Sequence, residues 1–437
     1  MPQYEYIASA VSFAGKIDNP KYTLATASEW VAKLNGLHNH YVSALYNAFT
    51  EPGYGQRQYT EFRGFHQHYG DSGGLQMVSL NIGKITDEQK EKIYEQQGRY
   101  SDVAMIFDEI PVFVPDQIDK NTLKQYGISA KYNTRSLKNT DSRVFDPDIF
   151  VQCAKDTAKN ILNQIRYFDK IDSKTKIIIV LQGNNTQWYQ KWLNIILKNI
   201  PYERWERLGG IAFGSPAYGA GMLEDIEKLF FISQIEAPKH LTKHFHLLGV
   251  GAMNRMIPVA LFRRNGVIPE DVLVSYDSSK HTGGLVRGQY QIGHKIVAVP
   301  RDSKKHLSKI ENKIFTFAKE ILGVELPHED LHNVMFLTVP ESVARYPNKP
   351  YDEVTQNLIN LRFTMLFNSI YEFIKNFDRL HTDEKYLHSI TDNNILLLEK
   401  VKTPQEFAEW EHLVRGKISS KRTPCKGVNS NLEEFFA

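Results

Sequence analysis

The chain has 437 residues, 42% hydrophobic and 12% aromatic, enough to bury a large core as one big catalytic domain with an appendage. With 53 Lys and Arg against 50 Asp and Glu, the net charge is only +3, which excludes a global electrostatic grip on nucleic acid or membrane and leaves local patches. Two cysteines far apart, Cys153 and Cys425, exclude a disulfide framework and a cysteine-rich zinc cluster and suit a reducing compartment.

The first segment, MPQYEYIASAVSFAGKID, carries Glu5 where a signal peptide would be positive. No later apolar run reaches the length of a membrane span, so the expectation is a cytoplasmic protein with no membrane partner. From residue 60 to residue 300, short β-rich runs alternate with longer amphipathic segments, the pattern of parallel strands joined by crossover helices. The strand candidates are the segment before DSGGLQ, then DVAMIFDEIP, KIIIVLQG, GGIAFGS, HFHLLGVG and DVLVSYDSS. Helical readings fall between them, as in DEQKEKIYEQQ and NRMIPVALFRRNG. Asp71, Asp108, Glu109, Gln182, Ser215 and Asp277 all sit at the C-terminal ends of these runs. A barrel builds its chemistry on that face, but a doubly wound sheet has the same local pattern, and periodicity does not separate the two.

Beyond residue 300 the texture turns helical, in RDSKKHLSKIENKIFTFAKEIL, DEVTQNLINLRFTMLFNSIYEFIKNF and TPQEFAEWEHLVRG. The division expected is 1–300 for the α/β domain with its N-terminal segment and 301–437 for a helical region packed on it. A basic tail ends the chain, with Arg415, Lys417, Lys421, Arg422 and Lys426; such runs usually form solvated tails.

Three strand-end aspartates, Asp71, Asp108 and Asp277, with neither a metal-binding cysteine set nor a serine or cysteine triad signature, point to carboxylate chemistry, glycosyl transfer above all. An aspartate before Ser-Gly-Gly equally suits a turn or helix cap, and Gly73 and Gly74 would leave room for a flat ligand on the loop. The HxH pairs His66/His68 and His244/His246 have metal-ligand spacing, but strand alternation produces such pairs freely, so packed or surface histidines are the expectation.

In their order, DSGGLQ, MIFDEIP, VLQG, GGIAFGS, HLLGVG and SYDSS resemble the motifs of the tRNA-guanine transglycosylase superfamily, which exchanges guanine for a 7-deazaguanine. The resemblance covers residues 60–290, with an echo in NLINLRFTMLFNSIYEFI, and implies an α/β fold, a (β/α)8 TIM barrel with a C-terminal helical appendage. It implies that Asp277 is the nucleophile on C1′ and Asp71 the general acid and base. Asp108 and Gln182 would hold the base edge, the backbone of Gly210 and Ile211 would read its 7-position, and Ser72 and Gln76 would line the pocket.

The sequence also departs from that family. The family's CxCxxC zinc cluster and histidine have no counterpart: Ile359 stands before Asn360-Leu361 where the histidine would be, so no structural zinc and no other cofactor is expected. Ser215 replaces the glutamate that suits an aminomethyl base, which favours the neutral nitrile base preQ0. These departures resemble the DNA-modifying branch, the DpdA-like DNA-guanine transglycosylases of bacterial modification clusters and bacteriophages. DNA and free preQ0 are then the implied partners, with room for a protein that opens or presents the duplex. A flipped nucleotide would need backbone contacts, for which Lys280, His281, Arg287, Arg263 and Arg264 are candidates, with Lys304 and Lys305 beside them. The alternatives are a tRNA-guanine transglycosylase without zinc, a carboxylate glycoside hydrolase with tryptophans at its mouth, and a binding subunit with a dead barrel.

Overall fold

The computed structural model describes residues 3–9, 25–73, 85–113, 144–145, 147–183, 185–214, 222–278, 280–281, 289–298, 304–326, 344, 347–415 and 417–418. Eight parallel strands close into a barrel. They are β1 (Tyr4–Ser9), β2 (His40–Asn47), β3 (His68–Asp71), β4 (Val103–Met105), β5 (Lys176–Leu181), β6 (Leu208–Phe213), β7 (His244–Leu247) and β8 (Leu273–Ser278). Each pairs with its neighbours in chain order, and β1 closes on β8 with Ile7 opposite Asp277. The barrel expected from the motif resemblance is therefore present.

Local chemistry explains most of these elements. Within β5 the run IIIV is β-branched and buried on both faces, as a parallel strand requires. Helix α1 (Ala25–Ala32) follows β1 and α2 (Pro52–Glu61) follows β2. Helix α3 (Asp87–Tyr100) starts at a capping box in which Thr86 and Gln89 satisfy each other's backbone donors. Helices α4 (Pro147–Lys170), α5 (Thr186–Asn199), α6 (Met222–Phe231) and α7 (Met253–Arg264) continue the outer ring, and the Asn185 side chain caps α5 by accepting from Trp188 N. Beyond β8 come a hairpin of β9 (Gln289–Ile292) and β10 (Lys295–Ala298), helix α8 (Lys304–Phe317) and the long α9 (Tyr351–Thr382), then short helices ending with α10 (Pro404–Val414).

Two findings go beyond the sequence reading. The barrel begins before residue 60, with β1 and β2, whose residues are buried on both faces and so give no clean alternation. The long helix α9 packs directly on the barrel wall: Phe373 meets Tyr6 and Tyr276, and Phe377 meets Tyr4, His40 and Tyr276. It covers the outer face where β1 meets β8, the position of an eighth barrel helix. Phe377 is fully buried, so Phe377→Ala is expected to cost about 3–5 kcal/mol in urea unfolding. A loss below about 1 kcal/mol would mean that α9 merely leans on the barrel.

Candidate functional site

Partners in a parallel register share a face. Asn47 with Asp71, Ile7 with Asp277 and Ala212 with His246 therefore set which side chains enter the barrel. Asp71 and Asp277 fall on the inner face at the C-terminal ends of β3 and β8, and Asp108 and Gln182 follow β4 and β5. The four come together at one mouth, the face on which barrels carry chemistry.

The surrounding helices fix this mouth with polar side chains. Gln97 of α3, fully buried, donates to the carbonyls of Gly70 (2.8 Å) and Met105 (2.9 Å) and accepts from Gln164 of α4. Glu109 is held by Lys90 Nζ (2.7 Å) and by Asn160 Nδ2 (3.1 Å), while its N–H donates to Thr157 Oγ1, so the loop carrying Asp108 is pinned from α3 and α4. Such buried polar groups stabilise only when paired, and these pairs give the loop one conformation.

Asp71 accepts from Asn47 Nδ2 (3.1 Å) and from the N–H groups of Ser72 and Gly73. Gly73 has φ +80°, and a Cβ there would come within 2.9 Å of Phe49 Cβ. Its first role is thus to turn its amide onto Asp71 through a left-handed conformation, a physical need distinct from the room for a ligand expected of it. Gly74 and Gln76 lie outside the described residues, as do Ser215 and Arg287. Burial pushes the Asp71 carboxyl up to about 6, helped by the charge of Asp277 and opposed by the two amides. Burial likewise pushes Asp108 up to about 7, although Gln182 donates a hydrogen bond to its Oδ2. Asp277 accepts from Gly249 N at 2.6 Å, and its Oδ1 lies 3.4 Å from His246 Nε2.

Ser72 is buried beside Asp71. Gly210 and Ile211 lie lower, within β6, where Gly210 pairs with Ile178, and Ile211 with Ile179 and Phe245. Ile211 points to the outer face, and a Cβ on Gly210 would meet His244, not the mouth. The residue next to the site is Gly214, just after β6, where a Cβ would lie 3.0 Å from the Gln182 amide.

Three of the expected backbone-contact cations are corrected. Arg263 is buried at the opposite end of the barrel, donating to the carbonyls of Pro269 and Val272 and lying over the Tyr4 ring. Arg264 faces Glu399 (3.6 Å) and the Leu380 carbonyl. His281 is 1% exposed, bonded to the Tyr6 hydroxyl at 2.8 Å and packed on Phe373. These side chains hold α7 and α9 to the barrel, where sequence alone reads only cations near a motif. Lys280 is exposed beside the mouth. The side chains of Lys304 and Lys305 lie outside what is described.

Neither HxH pair gathers a third ligand, and among the described residues no group of three or more His, Cys, Asp or Glu could hold a metal. His68 packs outward near Gln58 and Phe65, and His66 stacks on Tyr41. Trp188 and Trp192 pack edge-on against Phe150 in the helical layer. No described helix is long and apolar enough to cross a membrane. No family model matches the chain, and no curated protein matches it. The site stands on its own geometry.

Beneath the mouth the barrel interior is polar, where aliphatic layers usually fill such a core. Glu5, fully buried, accepts from Ser43 Oγ and from the Tyr69 hydroxyl (2.7 Å), and burial pushes its carboxyl up to about 7. Sequence reasoning missed this layer together with Asn47, although Glu5 inside an apolar YEYIA run was a usable signal. Because the folded protein holds this proton more tightly than the unfolded chain, the contribution of Glu5 to stability is greatest below pH 4.5 and is lost as pH rises through 7. Glu5→Gln keeps acceptor and shape, so it should flatten the fall in thermal midpoint over that window and gain about 1–3 kcal/mol at pH 8. An unchanged pH slope in the variant would remove Glu5 as its source.

Proposed function

We propose that the protein is a guanine transglycosylase acting on DNA, exchanging a guanine for a free 7-deazaguanine, preQ0 or a relative, through a covalent aspartyl-glycosyl intermediate. The observation that carries this reading is the convergence of Asp71, Asp108 and Asp277 at one mouth, two of them pushed up by burial and one held by an amide. Carboxylates in unlike environments divide acid and nucleophile between them.

In the first half-reaction an Asp277 oxygen attacks C1′ and the C1′–N9 bond breaks. The bonding pair leaves with guanine, which takes its proton from Asp71. In the second, Asp71 accepts the proton of the incoming base, whose nitrogen attacks C1′ and releases Asp277. Asp108 and Gln182, joined by their own hydrogen bond, offer an acceptor and an amide to the donor-rich and carbonyl edges of a guanine. The order of the sequence motifs supports guanine as the base, and the missing cysteine cluster supports DNA over tRNA. In duplex DNA the target nucleotide must flip out, costing a few kcal/mol, before C1′ meets a carboxylate inside the barrel. Trp192 is fully buried and Trp188 packs on Phe150 beside it in the helical layer, which weakens the sugar-stacking support that a glycoside hydrolase would need.

The test is incorporation of labelled guanine and labelled preQ0 into duplex DNA, single-stranded DNA and unmodified tRNA. Label entering DNA alone is the expected result. Label in tRNA alone keeps the chemistry and overturns the polymer, and release of sugar from an oligosaccharide would replace the reading with hydrolysis.

A further inference from the structure

Asp277 rests on a hydrogen-bonded column that the exchange chemistry does not itself require. His246 is fully buried on the inner face of β7, and its Nε2, which has no hydrogen-bond partner, faces the Asp277 carboxylate 3.4 Å away. Its Nδ1 lies 2.9 Å from Ser275 Oγ, which also lies 2.6 Å from His244 Nε2. Burial holds His244 down to about 3, so that ring is neutral.

Ser275 has one proton to give and faces two imidazole nitrogens. If it gave that proton to His244, His246 would carry its own proton on Nδ1 and turn a lone pair toward Asp277. The reverse order, His244 to Ser275 to His246 to Asp277, gives every link one donor and ends in an N–H aimed at the carboxylate. Gly249 N–H donates to Oδ1 of that carboxylate, and His246 Nε2 faces the same oxygen.

We infer, resting on the reading above, that His246 is the positioning residue of the nucleophile: it anchors Oδ1 of Asp277 through Nε2–H, Ser275 fixes its tautomer, and Oδ2 is the oxygen that attacks C1′. Fixing one oxygen removes the rotation of the carboxylate that attack would otherwise have to freeze.

The experiment is acid-quenched trapping of the covalent adduct between full-length protein and guanine-containing DNA in single turnover. His246→Phe keeps the ring volume and removes the donor, and His246→Gln restores a donor near the Nε2 position. Adduct formation should slow on the order of 10²-fold in His246→Phe and recover most of that in His246→Gln, with DNA affinity by fluorescence anisotropy unchanged in both. Equal trapping rates in wild type and His246→Phe overturn the inference, as does equal slowing in both variants. Absence of any adduct with wild type overturns the transglycosylase reading instead. Should His246→Phe fail to fold, Ser275→Ala is the second variant, expected to slow trapping about 10-fold. Ring 15N shifts of histidine-labelled protein give a readout apart from turnover: an Nε2–H tautomer that responds to Asp277→Asn is expected, and an Nδ1–H tautomer overturns the inference.

Discussion

Asp277→Ala is expected to lower base exchange by at least about 10⁴-fold and to abolish the acid-stable covalent adduct with DNA, because on the proposed reading its carboxylate is the group that attacks C1′. The side chain sits at the barrel mouth, 13% exposed, with its hydrogen bond directed at a loop amide, so its removal should leave the barrel folded. Circular dichroism and a thermal midpoint within a few degrees of wild type would establish that the loss is chemical. Activity retained above about 1% of wild type would take Asp277 out of the nucleophile's role and leave Asp71 and Asp108 as the candidates.

Asp71→Asn should have the next largest effect, a fall of about 10²–10⁴-fold, since the amide can keep an acceptor toward Asn47 but has no proton to give. The pH dependence sharpens this expectation. With the Asp71 carboxyl pushed up to about 6, its acid form should persist in about one molecule in ten at pH 7, against about one in a thousand for an ordinary aspartate. Wild-type departure of guanine should therefore slow as pH rises above 6, while re-attack by the incoming base, which needs the ionised form, should slow below it. Single-turnover adduct formation measured from pH 5 to pH 8 should fall in wild type and stay flat in Asp71→Asn. The same slope in both would assign the departing proton to Asp108, whose carboxyl is also pushed up.

Much of the site was legible because strand ends in α/β folds are written in short polar breaks after apolar runs. FDE, LQG and YDS each follow such a run, and the structure brings Asp108, Gln182 and Asp277 to one mouth. Legibility failed where function and packing draw on the same residue types. Arg263, Arg264 and His281 read as polymer contacts, yet two pay for their burial with carbonyl or hydroxyl partners and the third faces Glu399. Asn47 and Glu5 were missed because β1 and β2 are buried on both faces and show no alternation.

The sequence by itself determined the alternation of strands and helices from β3 to β8, the helical texture after residue 300 and the placing of carboxylates at strand ends, since each of these is a local pattern of period, polarity or residue type. Only the tertiary structure decided that the barrel closes through β1 against β8, that α9 covers that junction, and that a polar column of His246, Ser275 and His244 lies beneath Asp277. Closure and burial depend on contacts between residues hundreds of positions apart, such as Tyr6 with His281 and Tyr4 with His381, and no local pattern carries those.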